Sequence, residues 1–146
     1  MEEIKYWLCI CSAENYTECK KKLLWGVHEE KINNLRSTKL GDILLFYIAM
    51  RRTWSDRQIQ SGYFFMGGIY EVMSGVMLTP NGVLWSNECP HCVKIKTKHE
   101  LNEGKITLED LSFILNQPKI SLYVNINDDM IKITQNQFSK LLERYK

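Results

Sequence analysis

The sequence predicts a mixed α+β domain wrapped around a curled sheet. Three observations lead there. The 146 residues are 45% hydrophobic, 11% aromatic and 25% charged, a balance that supports one packed core and excludes disordered, collagen-like and coiled-coil classes. The elements read in the order strand, helix, several strands, two short helices, which is an α+β pattern. No repeat, low-complexity stretch or linker divides residues 1–146, so they are read as a single domain.

Lys5 to Cys11, Lys-Tyr-Trp-Leu-Cys-Ile-Cys, is apolar with little alternation, as in a buried strand. Ser12 then supplies an N-cap for a Lys- and Glu-rich helix running to about Lys22. In the segment that follows, Trp25 beside Gly26 marks an aromatic where the backbone must approach something closely. Residues 29–39 are polar and read as a surface loop. Leu40-Gly41-Asp42 is a turn into a strong strand, Ile43 to Ala49. Residues 51–62 form a long, polar, basic connection around Trp54. Tyr63 to Met73 is a strand interrupted at Gly67-Gly68, where a bulge or barrel corner fits. After a Gly-, Pro- and Asn-containing segment, Cys92 to Lys98 alternates apolar and basic residues, the pattern of a half-exposed strand. Thr107 to Leu115 reads as a helix with acids in its first turn, and Ile120 to Val124 as a short strand. Thr134 caps a last helix that turns Phe138, Leu141 and Leu142 inward.

The formal charge is only +2, but it is polarised: residues 20–57 hold nine basic side chains against four acids, a local +5 that leaves −3 for the rest. No apolar run is long enough to span a membrane. The start, Met1-Glu2-Glu3, lacks the basic charge of a signal peptide, and five cysteines are an odd number; together these place the protein in the cytoplasm with reduced thiols. A monomer is expected.

Catalytic motifs are missing. The three histidines, His28, His91 and His99, sit in no nucleophile–base arrangement, and no G-x-S-x-G, Walker A or G-x-G-x-x-G run occurs. The chain is therefore read as a non-enzyme without a cofactor. Cys89-Pro-His-Cys92 has zinc-ligand spacing, but no second C-x-x-C or H-x₃₋₅-H completes a site, so Cys89 and Cys92 are read as buried thiols. Trp25, Trp54 and Trp85 differ from the other aromatics because each lies beside Gly, Ser, Thr or Asn near a strand end or in a polar loop. Next to the basic window they suit a base-stacking pocket with cations at its rim.

Five ordered blocks carry a resemblance over nearly the whole chain: Tyr6-Trp7-Leu-Cys-Ile, Ser12-x-x-Asn15, Trp25-Gly26-Val27, Gly41-Asp42-x-Leu-x-Phe46-Tyr47 and Gly68-Ile69-Tyr70-Glu71-Val72. They resemble the EVE domain, a PUA-like module related to the YTH readers of methylated adenine. The resemblance implies a twisted β-barrel of about five to six strands with peripheral helices, and a cleft that holds a flipped, modified base of DNA or RNA. Trp25 matches a wall of that cleft, Ser12 and Asn15 its polar positions toward the base edge, and Gly26 a backbone contact. Trp85 is the candidate second wall, with Trp54 in reserve, and Tyr47 the floor. Lys20, Lys22, Arg36, Lys39, Arg51, Arg52 and Arg57 are the candidate phosphate contacts. Two other readings use the same residues differently: a pocket that senses a small molecule or nucleotide, and an interaction domain stabilised by metal at Cys89, Cys92 and His91.

Overall fold

Strand β1 (Tyr6–Ser12) sends Trp7, Cys9 and Cys11 to one side and Leu8 and Ile10 to the other, and all five are buried. Its parallel neighbour β3 (Ile43–Ala49) repeats the division, with Leu44 and Phe46 opposite Leu45 and Tyr47. Both faces of these strands are covered, which is why they read as continuous apolar runs. This architecture is taken from a computed structural model that describes residues 3–49, 63–83, 85, 87, 89–99, 105–116 and 129–143.

Between β1 and β3 lie α1 (Ala13–Lys22), β2 (Leu24–Gly26), a 3₁₀ turn (Glu29–Lys31) and α2 (Ile32–Arg36). After β3 come β4 (Tyr63–Val72), β5 (Met77–Leu78), β6 (His91–His99), β7 (Lys105–Thr107), α3 (Leu108–Leu115), β8 (Asp129–Ile133) and α4 (Gln135–Leu142). The strand order is β2-β6-β4-β3-β1-β8, with β5 beside β6 and β7 beside β4. Only the β1–β3 pair is parallel among the described pairings. The sheet curls into a half-barrel with the four described helices packed on it, as the α+β barrel reading expects. Helices α1 and α2 bring Cys19 and Leu35 to the face that holds Trp25, Phe46, Tyr70 and Trp85. Leu111, Ile114, Leu115 and Leu141 of α3 and α4 cover the other. No described helix is long and apolar enough to cross a membrane.

The predicted caps form. Ser12 Oγ accepts from the Asn15 amide at 3.2 Å. Thr134 and Gln137 make a reciprocal capping box, at 3.0 and 2.9 Å, and Phe138 lies on Tyr6 with ring centroids 4.8 Å apart. The predicted turn has Gly41 at φ +93° and delivers Asp42 into the interior, 1% exposed. There its carboxylate accepts from the Lys5 amide at 3.1 Å, the Trp7 indole at 3.0 Å and the Lys39 amide at 3.0 Å.

The polar segment 29–39 is not a simple surface loop. It holds the 3₁₀ turn and α2, and Leu35 is fully buried while the Asn34 side chain donates to the Met130 carbonyl at 2.7 Å. Ile32 and Leu35 are a single i, i+3 pair, too short a repeat to announce a helix. The short strands β5 and β7 and the edge strand β8 also go beyond the sequence reading. The strand expected over residues 120–124 and the connection 51–62 lie outside the described residues.

At Gly67-Gly68 the expected irregularity is present. Leu45 faces Ile69 but Tyr47 faces Met66, so β4 carries one residue more than β3 there. A Cβ on Gly67 would sit 2.9 Å from both Phe46 Cβ and the Tyr16 ring, and neither can retreat. Gly67→Ala is therefore expected to cost about 1–3 kcal/mol through overpacking, read as a lower thermal midpoint; an unchanged midpoint would contradict this packing.

Candidate functional site

Two elements carry the predicted site residues Ser12, Asn15, Trp25 and Gly26: the direct strand-to-helix junction where β1 meets α1, and the short strand β2. Ser12 caps α1, and Asn15, on the first turn of that helix, is 3% exposed. Strand β2 pairs antiparallel with β6, setting Trp25 opposite Val93 and Gly26 opposite Cys92. Trp25 is fully buried and meets Phe46 edge-on, with centroids 5.0 Å apart at 86°. Phe46 is held in turn by Tyr70, at 5.1 Å and 76°, and by Tyr16, at 5.4 Å. The Tyr16 hydroxyl accepts from the Gly68 amide at 2.8 Å and lies 3.1 Å from the Tyr70 hydroxyl. Trp25 therefore rests on a braced aromatic cluster rather than a yielding one.

Gly26 has the close approach that its sequence context suggested. A Cβ there would lie 2.7 Å from the His91 carbonyl oxygen and 2.7 Å from Trp85 Cζ3, so the edge of the Trp85 indole rests on this backbone. Trp85 is 3% exposed. The indole N–H groups of Trp25 and Trp85 are both buried and meet no acceptor among the described residues. A buried donor left unmatched is destabilising by about 1–3 kcal/mol, which any ligand edge presenting an acceptor can recover.

The structure thus gathers Trp25, Gly26 and Trp85 around β2, with Ser12 and Asn15 at the head of α1. It does not bring Tyr47 to them. Alternation along β3 turns Tyr47 to the face covered by α3 and α4, and Phe46 takes the place beside Trp25. Phe46 was legible in principle, since it shares the parity of Leu44 on a strand buried on both faces. Trp54, Arg51, Arg52 and Arg57 lie outside the described residues. Lys20 and Lys22 are exposed in the last turn of α1, Arg36 is exposed at the end of α2, and Lys39 is exposed before the Asp42 turn.

Cys89 and Cys92 are both buried, and no three His, Cys, Asp or Glu side chains gather as a metal site among the described residues. Burial pushes the Cys92 thiol above its ordinary 9.0, partly offset by a hydrogen bond with Thr79. A native value above the unfolded one leaves stability untouched below pH 9.0 and erodes it as pH rises beyond that value. Iodoacetamide at pH values below 9.0 is expected to spare Cys92 in the native protein and to label it once urea unfolds the chain. Labelling of the native protein at the rate of an unfolded thiol would refute this.

The EVE domain profile matches residues 5–144. The chain belongs to the EVE domain family. This EVE chain is 30% identical over 125 residues to a UPF0310 protein of Pyrococcus horikoshii, covering 81% of this chain and 83% of that one. Its fold also matches the human THYN1 protein, solved in complex with DNA containing 5-methylcytosine, at TM-score 0.61 and 15% identity, over 97% of this chain and 98% of that one. The YTH domain of the Zygosaccharomyces rouxii MRB1 protein, in complex with N6-methyladenosine RNA, matches at TM-score 0.61 and 15% identity, over 100% and 89% of the two chains.

Proposed function

We propose that this EVE chain is a nucleic-acid-binding module that takes a modified, methylated base from DNA or RNA into the site around β2 and performs no chemical step. The observation that carries the reading is a pair of buried indoles on and beside β2, Trp25 in the strand and Trp85 against the Gly26 backbone, both with N–H groups that meet no described acceptor. A base offers this site a flat face for one indole and a ring or carbonyl acceptor for the in-plane N–H of the other. The methylated ligands of the THYN1 and Zygosaccharomyces YTH structures support the same reading by analogy of fold.

Three contributions add up in such a site. Stacking on an aromatic face contributes on the order of 1–3 kcal/mol per base. A methyl group buried in a dry corner adds about 0.8 kcal/mol, roughly a fourfold preference over the unmodified base. Asn15 and the backbone beside Gly26 match the polar edge, where a mismatched base is penalised by about 1–3 kcal/mol. Since neither indole shows a face to solvent, capture includes a movement that opens the site. We assign that movement to Trp85, which sits in a turn, whereas Trp25 is fixed in a strand and braced by Phe46. Lys20, Lys22, Arg36 and Lys39 hold the phosphates of the flanking chain.

Fluorescence anisotropy with labelled oligonucleotides that differ in one methyl group tests the reading. Tighter binding of the methylated strand by roughly fourfold is expected, with both affinities falling steeply as salt rises. Absence of binding to either strand would overturn it.

A further inference from the structure

A second feature lies apart from the two indoles and, of the phosphate contacts proposed above, includes only Lys39. It is a groove of about 630 Å³ where the start of β1, the turn before β3 and the end of β8 meet, lined by Lys5, Lys39, Lys132, Tyr6, Ile133 and Thr134 among others. We propose that this groove binds a phosphate ester.

The charge comes first. Three ammonium groups border the groove against one carboxylate, that of Glu3. Lys5 and Lys132 pair with no acid among the described residues; the Lys5 ammonium instead donates to the Ser37 carbonyl at 3.0 Å, which holds it at the rim with further N–H groups to give. The positive charge of Lys5 and Lys132, left without a described acid at one concave spot, raises the local concentration of anions.

The backbones that carry the three lysines are also fixed relative to one another. The buried Asp42 carboxylate accepts from the backbone amides of both Lys5 and Lys39, and the β1–β8 register sets Lys132 opposite Trp7, two residues along from Lys5. The backbone positions from which the three side chains reach the groove are thus set by the core. Lysine acts as a point charge toward phosphate, and a groove of this size exceeds what an inorganic ion fills, within the range for small-molecule ligands. Ile4, Tyr6 and Ile133 give an apolar floor for the organic part of an ester.

The phosphate ester has two possible sources, a free nucleotide or the backbone of a nucleic-acid strand. Isothermal titration with adenosine monophosphate and anisotropy with an unmodified, labelled single strand separate them. The variants are Lys132→Glu and Lys5→Glu combined, the milder Lys132→Gln and Lys5→Gln singly, and Lys98→Glu as a control outside the groove, where Lys98 already faces Glu71 at 3.4 Å. The double variant is expected to weaken binding about tenfold and to lower the salt slope by about 2, the Gln variants to weaken it less with unchanged thermal midpoints, and the control to change little. Loss for both ligands assigns the groove to free nucleotides as well; loss for the strand alone assigns it to backbone phosphate. Undiminished binding of both ligands by the double variant, equal loss in the Lys98 control, or no binding of either ligand by the wild type would overturn the proposal. A Trp25 variant that loses only the methyl preference leaves this groove intact, so the two sites fail separately.

Discussion

Trp25→Ala is expected to weaken binding of the modified strand by about 1–3 kcal/mol, the stacking contribution of one base, which is roughly a 5- to 150-fold loss. It is also expected to cost about 3–5 kcal/mol of stability, because Trp25 is fully buried and its removal leaves Phe46 facing a void. The two effects are separable. Trp25→Phe retains an aromatic ring against Phe46 and most of the volume but removes the indole N–H, so its thermal midpoint stays closer to wild type while affinity falls to an intermediate value. Folded Trp25→Ala and Trp25→Phe proteins that bind as tightly as wild type would remove Trp25 from the site.

The second large effect concerns stability alone. Asp42→Ala strips the acceptor from three donors at once, the Lys5 amide, the Trp7 indole and the Lys39 amide, in a position 1% exposed. An orphaned buried donor is destabilising by about 1–3 kcal/mol; the Trp7 donor is buried and the two amides are half-buried, so a loss of about 4 kcal/mol is expected, against the 5–15 kcal/mol that typical domains possess. Asp42→Asn keeps the shape but turns an amide N–H toward one of these donors, and an intermediate loss follows. Urea unfolding measures both. An Asp42→Ala midpoint equal to wild type would show that the clasp between β1 and the turn is not holding the fold.

The main elements could be read from residues because local signals agree with the global structure: Ser12 and Thr134 at caps, Gly41 at a positive φ, Gly67-Gly68 at a bulge. What escaped depended on partners distant in sequence. Helix α2 is five residues long and exists because Leu35 reaches the core and Asn34 reaches Met130, 96 positions away. Strand β8 is an edge that only its pairing with β1 defines. The site divides in the same way. Trp25, Gly26, Ser12 and Asn15 stand out by neighbours in sequence, and the close contact of Trp85 with Gly26 agrees with the choice of a glycine there. Tyr47 and Phe46 are adjacent aromatics on one strand, and only the direction of the pleat tells which one faces Trp25. Lys5 and Lys132 carry no sequence signal at all, since their meeting in one groove is made by Asp42 and the β1–β8 register.

The central claim is that the two indoles at Gly26 receive a base, and their own N–H groups report on it. In a ¹H–¹⁵N correlation spectrum assigned with single Trp→Phe variants, Trp7 serves as an internal reference because its N–H is already bonded to Asp42 at 3.0 Å. Addition of the methylated strand is expected to move the Trp25 and Trp85 indole signals, downfield for an N–H that gains an acceptor and upfield for an indole under a stacked base, while the Trp7 signal stays in place. Binding that leaves both the Trp25 and Trp85 signals where they were would contradict the account.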